Sequence, residues 1–300
     1  MGLRAESANE ITYRHSPRGK RMVTVRLMGG LGNQMFQYAL GRTIAQRRRT
    51  SLALDVSSYQ YDQTREYSLG IFNIAERFDD FPPLGRVRAL GQGLRLPGFA
   101  FNLGRVRVPG FTYVLKEKTF AFDPTVLDAP GNVYLDGYWQ SEKYFKEIEP
   151  IIRREFALRT TSAQVENLAG KVQSTESVCV NVRRGHYGLQ SFVGTEYYAE
   201  SIKVIHARVT NPTVFVFSDE IDWCKDNLRF DCPTIFVGHE GAGDLYLMSR
   251  CKHFIIANST FGWWGAWLSN SKGTVVAPRK WFNTTEVDTR DLIPTGWVQR

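Results

Sequence analysis

The chain has 300 residues, 43% of them hydrophobic, and a formal net charge of +8. That length suits one large or two medium domains with a sizeable core. No apolar run can span a bilayer, no apolar N-terminal segment resembles a secretory signal, and the four cysteines show neither metal-ligand nor disulfide-framework spacing. A cytoplasmic chain with reduced, mostly buried thiols is the expectation.

Residues 1–20 are polar, charged and aperiodic, and read as a loose leader. The basic excess is local: residues 1–50 hold ten Lys or Arg against two acidic residues, and the remainder is balanced. Arg47, Arg48 and Arg49 suit the end of a helix, where cations complement the dipole. Arg18, Lys20 and Arg21 fit either a solvated tail or peripheral docking to an anionic membrane surface or glycan. Nucleic acid is disfavoured, because no reading motif accompanies the charge.

Residues 22–28 read as a strand, 34–49 as a helix with Phe36, Ala39, Leu40 and Ile44 on an apolar face, and 51–56 as a second strand. The first turn is Gly29-Gly30-Leu31-Gly32-Asn33-Gln34. Gly30 and Gly32 permit close backbone approach, with Asn33 and Gln34 facing a cleft; a tight turn that needs only glycine fits the same residues. A dinucleotide fingerprint fails, because Met35 stands at the third glycine position, although Asp55 lies at about the expected distance. Residues 80–112, rich in Gly, Pro and Arg, read as an irregular excursion belonging to an acceptor-binding lobe. Residues 131–140 contain a strand ending in Asp136-Gly137-Tyr138-Trp139-Gln140. Ser141 then caps a helix to about residue 158, with Glu142 in its first turn. The polar stretch 159–176 reads as a domain boundary. Beyond it, strands and helices alternate at 177–183, 196–208, 213–218, 220–228, 234–237, 243–250, 253–257, 262–269 and 273–277. That alternation predicts a doubly wound parallel sheet.

The second half opens on Ser177-Val178-Cys179-Val180-Asn181-Val182-Arg183-Arg184-Gly185-His186. The β-branched run reads as a buried parallel strand delivering two arginines into a glycine loop. Two forked, permanent cations at the carboxyl end of such a strand suit an anionic group such as a diphosphate; an ordinary surface pair is the plain alternative. Asn258, Ser259 and Thr260 follow a strand and precede a helix, where they suit phosphate binding, helix capping, or both. Trp263, Trp264 and Trp267 lie at helical spacing, which favours core packing over sugar stacking.

In order and spacing, residues 29–38, 177–188, 215–224 and 244–267 resemble the α-1,2-fucosyltransferases of glycosyltransferase family eleven. The Asn-Ser-Thr-Phe-Gly-Trp-Trp-Gly-Ala-Trp run from Asn258 to Trp267 is its most specific part, and the resemblance spans residues 22–298. It implies an α/β chain of the GT-B type, two Rossmann-like lobes with a cleft between them. Residues 21–165 would form the acceptor side and 166–300 the nucleotide-sugar side. The implied reaction is inverting transfer of L-fucose from GDP-fucose to the 2-hydroxyl of a galactose-terminated glycan, with no cofactor beyond that donor. The family pattern His-x-Arg-Arg-x-Asp is kept at Arg183 and Arg184, but Asn181 and His186 stand at its outer positions.

Such a site must neutralise charge developing on the β-phosphate. Asp219-Glu220-Ile221-Asp222 does not have the Asp-x-Asp spacing of metal-dependent relatives and suits a helix start, so Arg183 and Arg184 are read as the catalytic cations, with no metal. Donor contacts are expected from Gly30, Gly32, Asn33, Gln34, Asn181, Asp219, Asn258, Ser259 and Thr260. Asp244 suits guanine, since a carboxylate can accept from N1–H and N2–H₂ and α-1,6-fucosyltransferases use an Asp in the matching block; a helix cap is the alternative. Glu196, in Val193-Gly194-Thr195-Glu196, is the first candidate base, because a similar tetrapeptide follows the arginine pair in α-1,6-fucosyltransferases; it is also a good helix start. His186 is the second candidate, as imidazole can accept a proton near neutral pH. Two rivals remain beside this reading: a non-catalytic glycan- or nucleotide-sugar-binding relative, motivated by Asn181 and His186, and a transferase using another GDP-hexose.

Overall fold

The valine-rich segment Met22–Arg26 forms the first strand (β1) of a four-stranded parallel sheet. The structure, a computed structural model, describes residues 22–75, 77–78, 113–129, 132–185, 193–238, 241–284 and 287–300. The leader with Arg18, Lys20 and Arg21, the 80–112 excursion and His186 lie outside the described residues. The sheet is completed by β2 (Ser51–Asp55), β3 (Tyr113–Lys116) and β4 (Val133–Asp136), in the order β2-β1-β4-β3. Helix α1 (Leu31–Arg48) connects β1 to β2 and ends with Arg49 in the left-handed region. Arg47, in its last turn, pairs with Glu147 and Asp128.

The second sheet holds six parallel strands in the order β10-β9-β8-β5-β6-β7. These are β5 (Glu176–Val182), β6 (Pro212–Ser218), β7 (Thr234–Phe236), β8 (His253–Ile255), β9 (Val275–Ala277) and β10 (Val298–Gln299). From β5 the chain winds outward through β6 and β7, then returns to β8 on the other side. Alternation along β5 sends Val178, Val180 and Val182 to one face, where they pack under Tyr198, Ile202 and Ile205; Cys179 points to the other. That second face shares one continuous core with the first sheet through Phe36 and the three tryptophans.

The remaining helices are α2 (Glu149–Glu155), α3 (Ala163–Gln173), α4 (Thr195–His206), α5 (Ile221–Asn227), α6 (Ala242–Arg250) and α7 (Thr260–Leu268). One of these corrects the sequence reading and one adds to it. The helix expected from Ser141 to about residue 158 is broken: short 3₁₀ turns at Glu142–Tyr144 and Lys146–Ile148 precede α2. Pro150 is the reason, because it lacks an N–H and fits only the first turn of a new helix. The polar stretch 159–176, read as a domain boundary, contains α3, capped by Ser162 through the Val165 N–H. Its Val165, Ala169 and Val172 face the core at helical spacing. The change of sheet therefore falls between Asp136 and Glu176. Among the described residues, no helix is long and apolar enough to cross a membrane.

Candidate active site

Open parallel sheets offer a crevice where strand order reverses, outside the carboxyl ends of the strands. In the six-stranded sheet that point lies between β5 and β8. Arg183 and Arg184 leave β5 there, and residues 256–259 lead from β8 into α7. Asp219, just after β6, holds the arginine turn in place. One of its carboxylate oxygens accepts from the Arg184 backbone N–H at 3.2 Å, the other from Gly185 N–H at 3.1 Å and from Arg183 Nη1 at 2.8 Å. Asp219 is thus committed to the loop rather than to the start of α5, which has no side-chain cap. Arg184 stacks on Trp223, with its guanidinium carbon 3.6 Å from the ring centroid, and lies 3.5 Å from Glu220. Asp222 pairs with Lys225 at 2.8 Å. Burial pushes the Arg183 guanidinium down; Asp219 and Glu220 oppose the shift and Arg65 adds to it.

The β8 side is ordered differently from the sequence expectation. Asn181 is 5% exposed, its Oδ1 packs against Gly262 of α7 without a hydrogen-bond partner, and its backbone oxygen accepts from Ala257 N–H. Asn181 therefore lies beneath α7 rather than beside the arginines. Asn258 is buried and donates to the Trp281 carbonyl at 3.1 Å. Ser259 is the N-cap of α7 by position, yet its hydroxyl makes no capping bond. Asp244 does not cap α6 either: Gly241 holds that place, and Asp244 is a first-turn carboxylate only 5% exposed. Replacing it with asparagine is expected to weaken GDP binding by about 1–3 kcal/mol while leaving UDP binding nearly unchanged, if it receives guanine. Calorimetry with both nucleotides checks this; equal weakening would make Asp244 a structural carboxylate.

The four-stranded sheet reverses between β1 and β4, and both following turns are linked. Gln140 donates to Asn33 Oδ1 at 2.9 Å, and Gln37 donates to the Gly137 carbonyl at 3.2 Å. Trp139 takes a φ of +57°, a strained value for a tryptophan. Glu117 sustains it by accepting from the Tyr138 and Trp139 N–H groups, and burial raises its carboxyl. Gln34 is buried and stitches the glycine turn to residues 66–68, donating to the Gly29 and Glu66 carbonyls and accepting from Ser68 N–H. Asp136 pairs with Arg26 at 3.0 Å. Asp55 is buried against Tyr134 and accepts from Ser57 N–H, so it has no role of the dinucleotide kind.

The two crevices meet at Gly32. A Cβ there would lie 2.6 Å from Thr260 Oγ1, so only glycine allows this approach. Trp264 Nε1 donates to the Gly32 carbonyl at 2.9 Å. Trp263, Trp264 and Trp267 are buried, as helical spacing predicts, and hold the sheets together rather than facing a sugar. Glu196 is exposed in the first turn of α4 and opens to a groove of about 930 Å³ with Lys203, Arg208, Lys280, Asn283 and Arg300. That groove lies on the β9–β10 side, whereas Arg183 and Arg184 turn towards β6. The structure therefore does not bring Glu196 and the arginine contacts onto one side of β5. Arg65 was not singled out from sequence, and Asp219 was read as a donor contact rather than as the clamp of the arginine turn. Their partners are distant in the chain, and neither residue carries a local motif.

Two parallel α/β sheets whose reversal points meet at an arginine-lined crevice form a two-lobed fold of the GT-B type. The fucosyltransferase NodZ from Bradyrhizobium shares this fold, with a TM-score of 0.52 at 18% identity over 83% of this chain and 92% of that one. The family model of glycosyl transferase family 11 matches residues 115–300. An alpha-1,2-colitosyltransferase of Escherichia coli is 33% identical over 93% of this chain and 98% of its own. The O-antigen biosynthesis glycosyltransferase WbnK of Escherichia coli is 30% identical over 85% of this chain and 93% of its own. The galactoside 2-alpha-L-fucosyltransferase Sec1 of Mus musculus is 27% identical over 88% of this chain and 68% of its own. The chain belongs to glycosyl transferase family 11.

Proposed function

We propose that this glycosyltransferase moves L-fucose from GDP-fucose to the 2-hydroxyl of a terminal galactoside, with inversion and without a metal ion. The observation that carries the reading is the clamp of Asp219 on the Arg183-Arg184 turn, which fixes the turn and the Arg183 guanidinium at the carboxyl end of β5, while the Arg184 guanidinium stacks on Trp223. Such preorganised donors stabilise charge as it develops. The acceptor oxygen attacks the anomeric carbon from the face opposite the diphosphate. The bond from that carbon to the β-phosphate oxygen breaks, its electron pair leaves with GDP, and the hydroxyl proton passes to a base. The acidic run after β6 is engaged by cations, Asp219 by Arg183, Glu220 by Arg184 and Asp222 by Lys225, which supports a metal-free site.

Glu196 remains the proposed base. Glu196→Gln is expected to lose most transfer, by a factor of about 100 or more, while GDP affinity is retained. A Glu196→Gln enzyme that transfers at the wild-type rate would remove it from the mechanism, which its place on the β9–β10 side makes a sharp test.

A second donor is favoured by the colitosyltransferase relative. Colitose is fucose without its 3-hydroxyl, so the same diphosphate and guanine contacts serve both sugars. The test offers GDP-fucose and GDP-colitose with terminal galactosides in EDTA, and reads GDP release, linkage and anomeric configuration by NMR. An α-1,2-linked fucoside formed in EDTA supports the reading. Preference for GDP-colitose changes the donor, loss of activity restored only by added metal overturns the metal-free step, and GDP binding without turnover marks a non-catalytic relative.

A further inference from the structure

The groove of about 930 Å³ beside Glu196 is longer than a single sugar requires. Its lining residues Glu196, Tyr197, Glu200, Lys203, Val204 and Ala207 recur at helical spacing, so one face of α4 forms its wall over about 17 Å of helix axis. The facing wall follows β9 and β10 at the edge of the six-stranded sheet, with Pro278, Lys280 and Arg300. The two walls are fixed to each other. The Tyr197 hydroxyl is 2.8 Å from the Ile256 carbonyl and 3.2 Å from the Val276 carbonyl, which pins α4 across β8 and β9.

Cations stand at both ends of this groove. At one end Arg208 Nη1 donates to Thr274 Oγ1 at 3.2 Å, where the chain enters β9. At the other, Arg300 donates from its backbone N–H to the Ala277 carbonyl at 3.0 Å and accepts from Arg279 N–H at 2.6 Å. The two levels are about 10 Å apart along β9, and Lys280 lies at the Arg300 end. The described lining holds four Lys or Arg, at 203, 208, 280 and 300, against Glu196 and Glu200. Glu200 pairs with Lys203 at 2.6 Å. Glu196 folds back towards the start of α4, its Oε2 being 2.6 Å from where a Cβ on Gly194 would stand. Between the charged ends, Val193, Tyr197, Val204 and Pro278 supply apolar surface.

We propose that this groove binds an anionic stretch of the acceptor glycan, a chain of carboxylated sugars leading away from the galactose that receives the transfer. The inference rests on the glycan-acceptor reading above. The apolar surface suits the C–H faces of pyranose rings, and cations at two levels suit carboxylates on separate sugars. The groove opens at Gly194, on the carboxyl side of the sheet that also carries the arginine turn. A channel between one helix and one strand edge admits a single extended chain. A flat anionic membrane meets its rim but not its floor.

The test is NMR titration of the full chain with a hyaluronan tetrasaccharide, which carries hexuronic carboxylates, beside the uncharged N-acetylated chitotetraose. Wild type, Arg208→Glu, Lys280→Glu and Arg208→Lys are compared, each with its melting temperature. Wild type is expected to bind the charged chain about 10-fold more tightly than the neutral one, with the preference falling as salt is added. Each glutamate variant is expected to lose about that factor while GDP affinity and melting temperature hold. Arg208→Lys keeps the charge, should stay within a few-fold of wild type, and guards against a folding failure. Equal affinity for the two tetrasaccharides, or unchanged binding in both glutamate variants, overturns the proposal. So does equally tight binding of phosphatidylserine vesicles or a DNA hairpin that the same variants abolish, which would make the groove a general polyanion surface. Transfer is read alongside, with a galactose-terminated oligosaccharide containing glucuronic acid and its carboxyl-reduced counterpart. The acidic acceptor should have the lower KM in wild type and lose that advantage in the glutamate variants. If both are fucosylated with equal KM, only the groove assignment fails; if neither is fucosylated, the acceptor reading itself falls.

Discussion

Arg184→Ala is expected to lower kcat by about 100- to 1,000-fold, the loss seen when one preorganised donor to a developing oxyanion is removed. The fold should survive. Arg184 is partly exposed, its pairing with Glu220 is long at 3.5 Å, and its stacking on Trp223 contributes about 0.5–1 kcal/mol at most sites of this exposure. The Asp219 clamp would remain, because it holds the backbone N–H of residue 184 and not the side chain. Turnover and stability therefore separate at this position. Arg184→Lys should recover little, since a point charge replaces a flat fork that both stacks on the indole and presents parallel N–H groups. Steady-state kinetics beside a thermal melt check the pair. Near-normal kcat in the lysine variant would show that charge alone suffices, and a collapse of the melt in the alanine variant would make Arg184 structural.

The strands most legible in the sequence are those buried on both faces. In β5 and β6 the β-branched and aromatic runs match their burial almost residue for residue. The strand expected over residues 253–257 is regular to Ile255, and the pairing runs on beyond it, with Ile256 N–H bonding the Val276 carbonyl and Ala257 N–H the Asn181 carbonyl. Helix α3 was hidden by its polar surface, with only Val165, Ala169 and Val172 buried. Strand β10 is two residues long and exists through its pairing with β9, which no local pattern encodes.

The site was legible in a similar, partial way. The arginine pair and the glycine turn could be read because each is a short run with local meaning. What holds them could not. Asp219 reaches back across 35 positions to the Arg184 N–H, and Gln34 bonds a residue 34 positions away. Asn181 stands two positions before Arg183 in sequence, and its contact with Gly262 of α7 is another long-range feature that no local run encodes.

Trp264 carries the other large expected effect, this time on stability. Its indole is fully buried, with ring centroids at 4.8 Å from Phe36 of α1, 5.2 Å from Phe145, 5.2 Å from Phe156 and 5.0 Å from Trp263. It therefore touches α1, the segment leading to α2 and its own helix at once, which is where the two sheets share a core. Trp264→Ala should destabilise by about 3–5 kcal/mol, since a large cavity opens among rings that cannot easily collapse into it. Trp264→Phe keeps much of that packing but removes the Nε1–H that bonds the Gly32 carbonyl, at a net cost of about 1 kcal/mol. The phenylalanine variant is the more informative one. With Gly32 released from α7, the turn that faces the arginines loses a fixed point, so the donor KM should rise several-fold while the melt shifts little. Urea unfolding and donor titration measure the two effects independently. An alanine variant as stable as wild type would mean that the ring cluster does not join the sheets. A phenylalanine variant with unchanged donor KM would mean that the Gly32 turn is held without the indole.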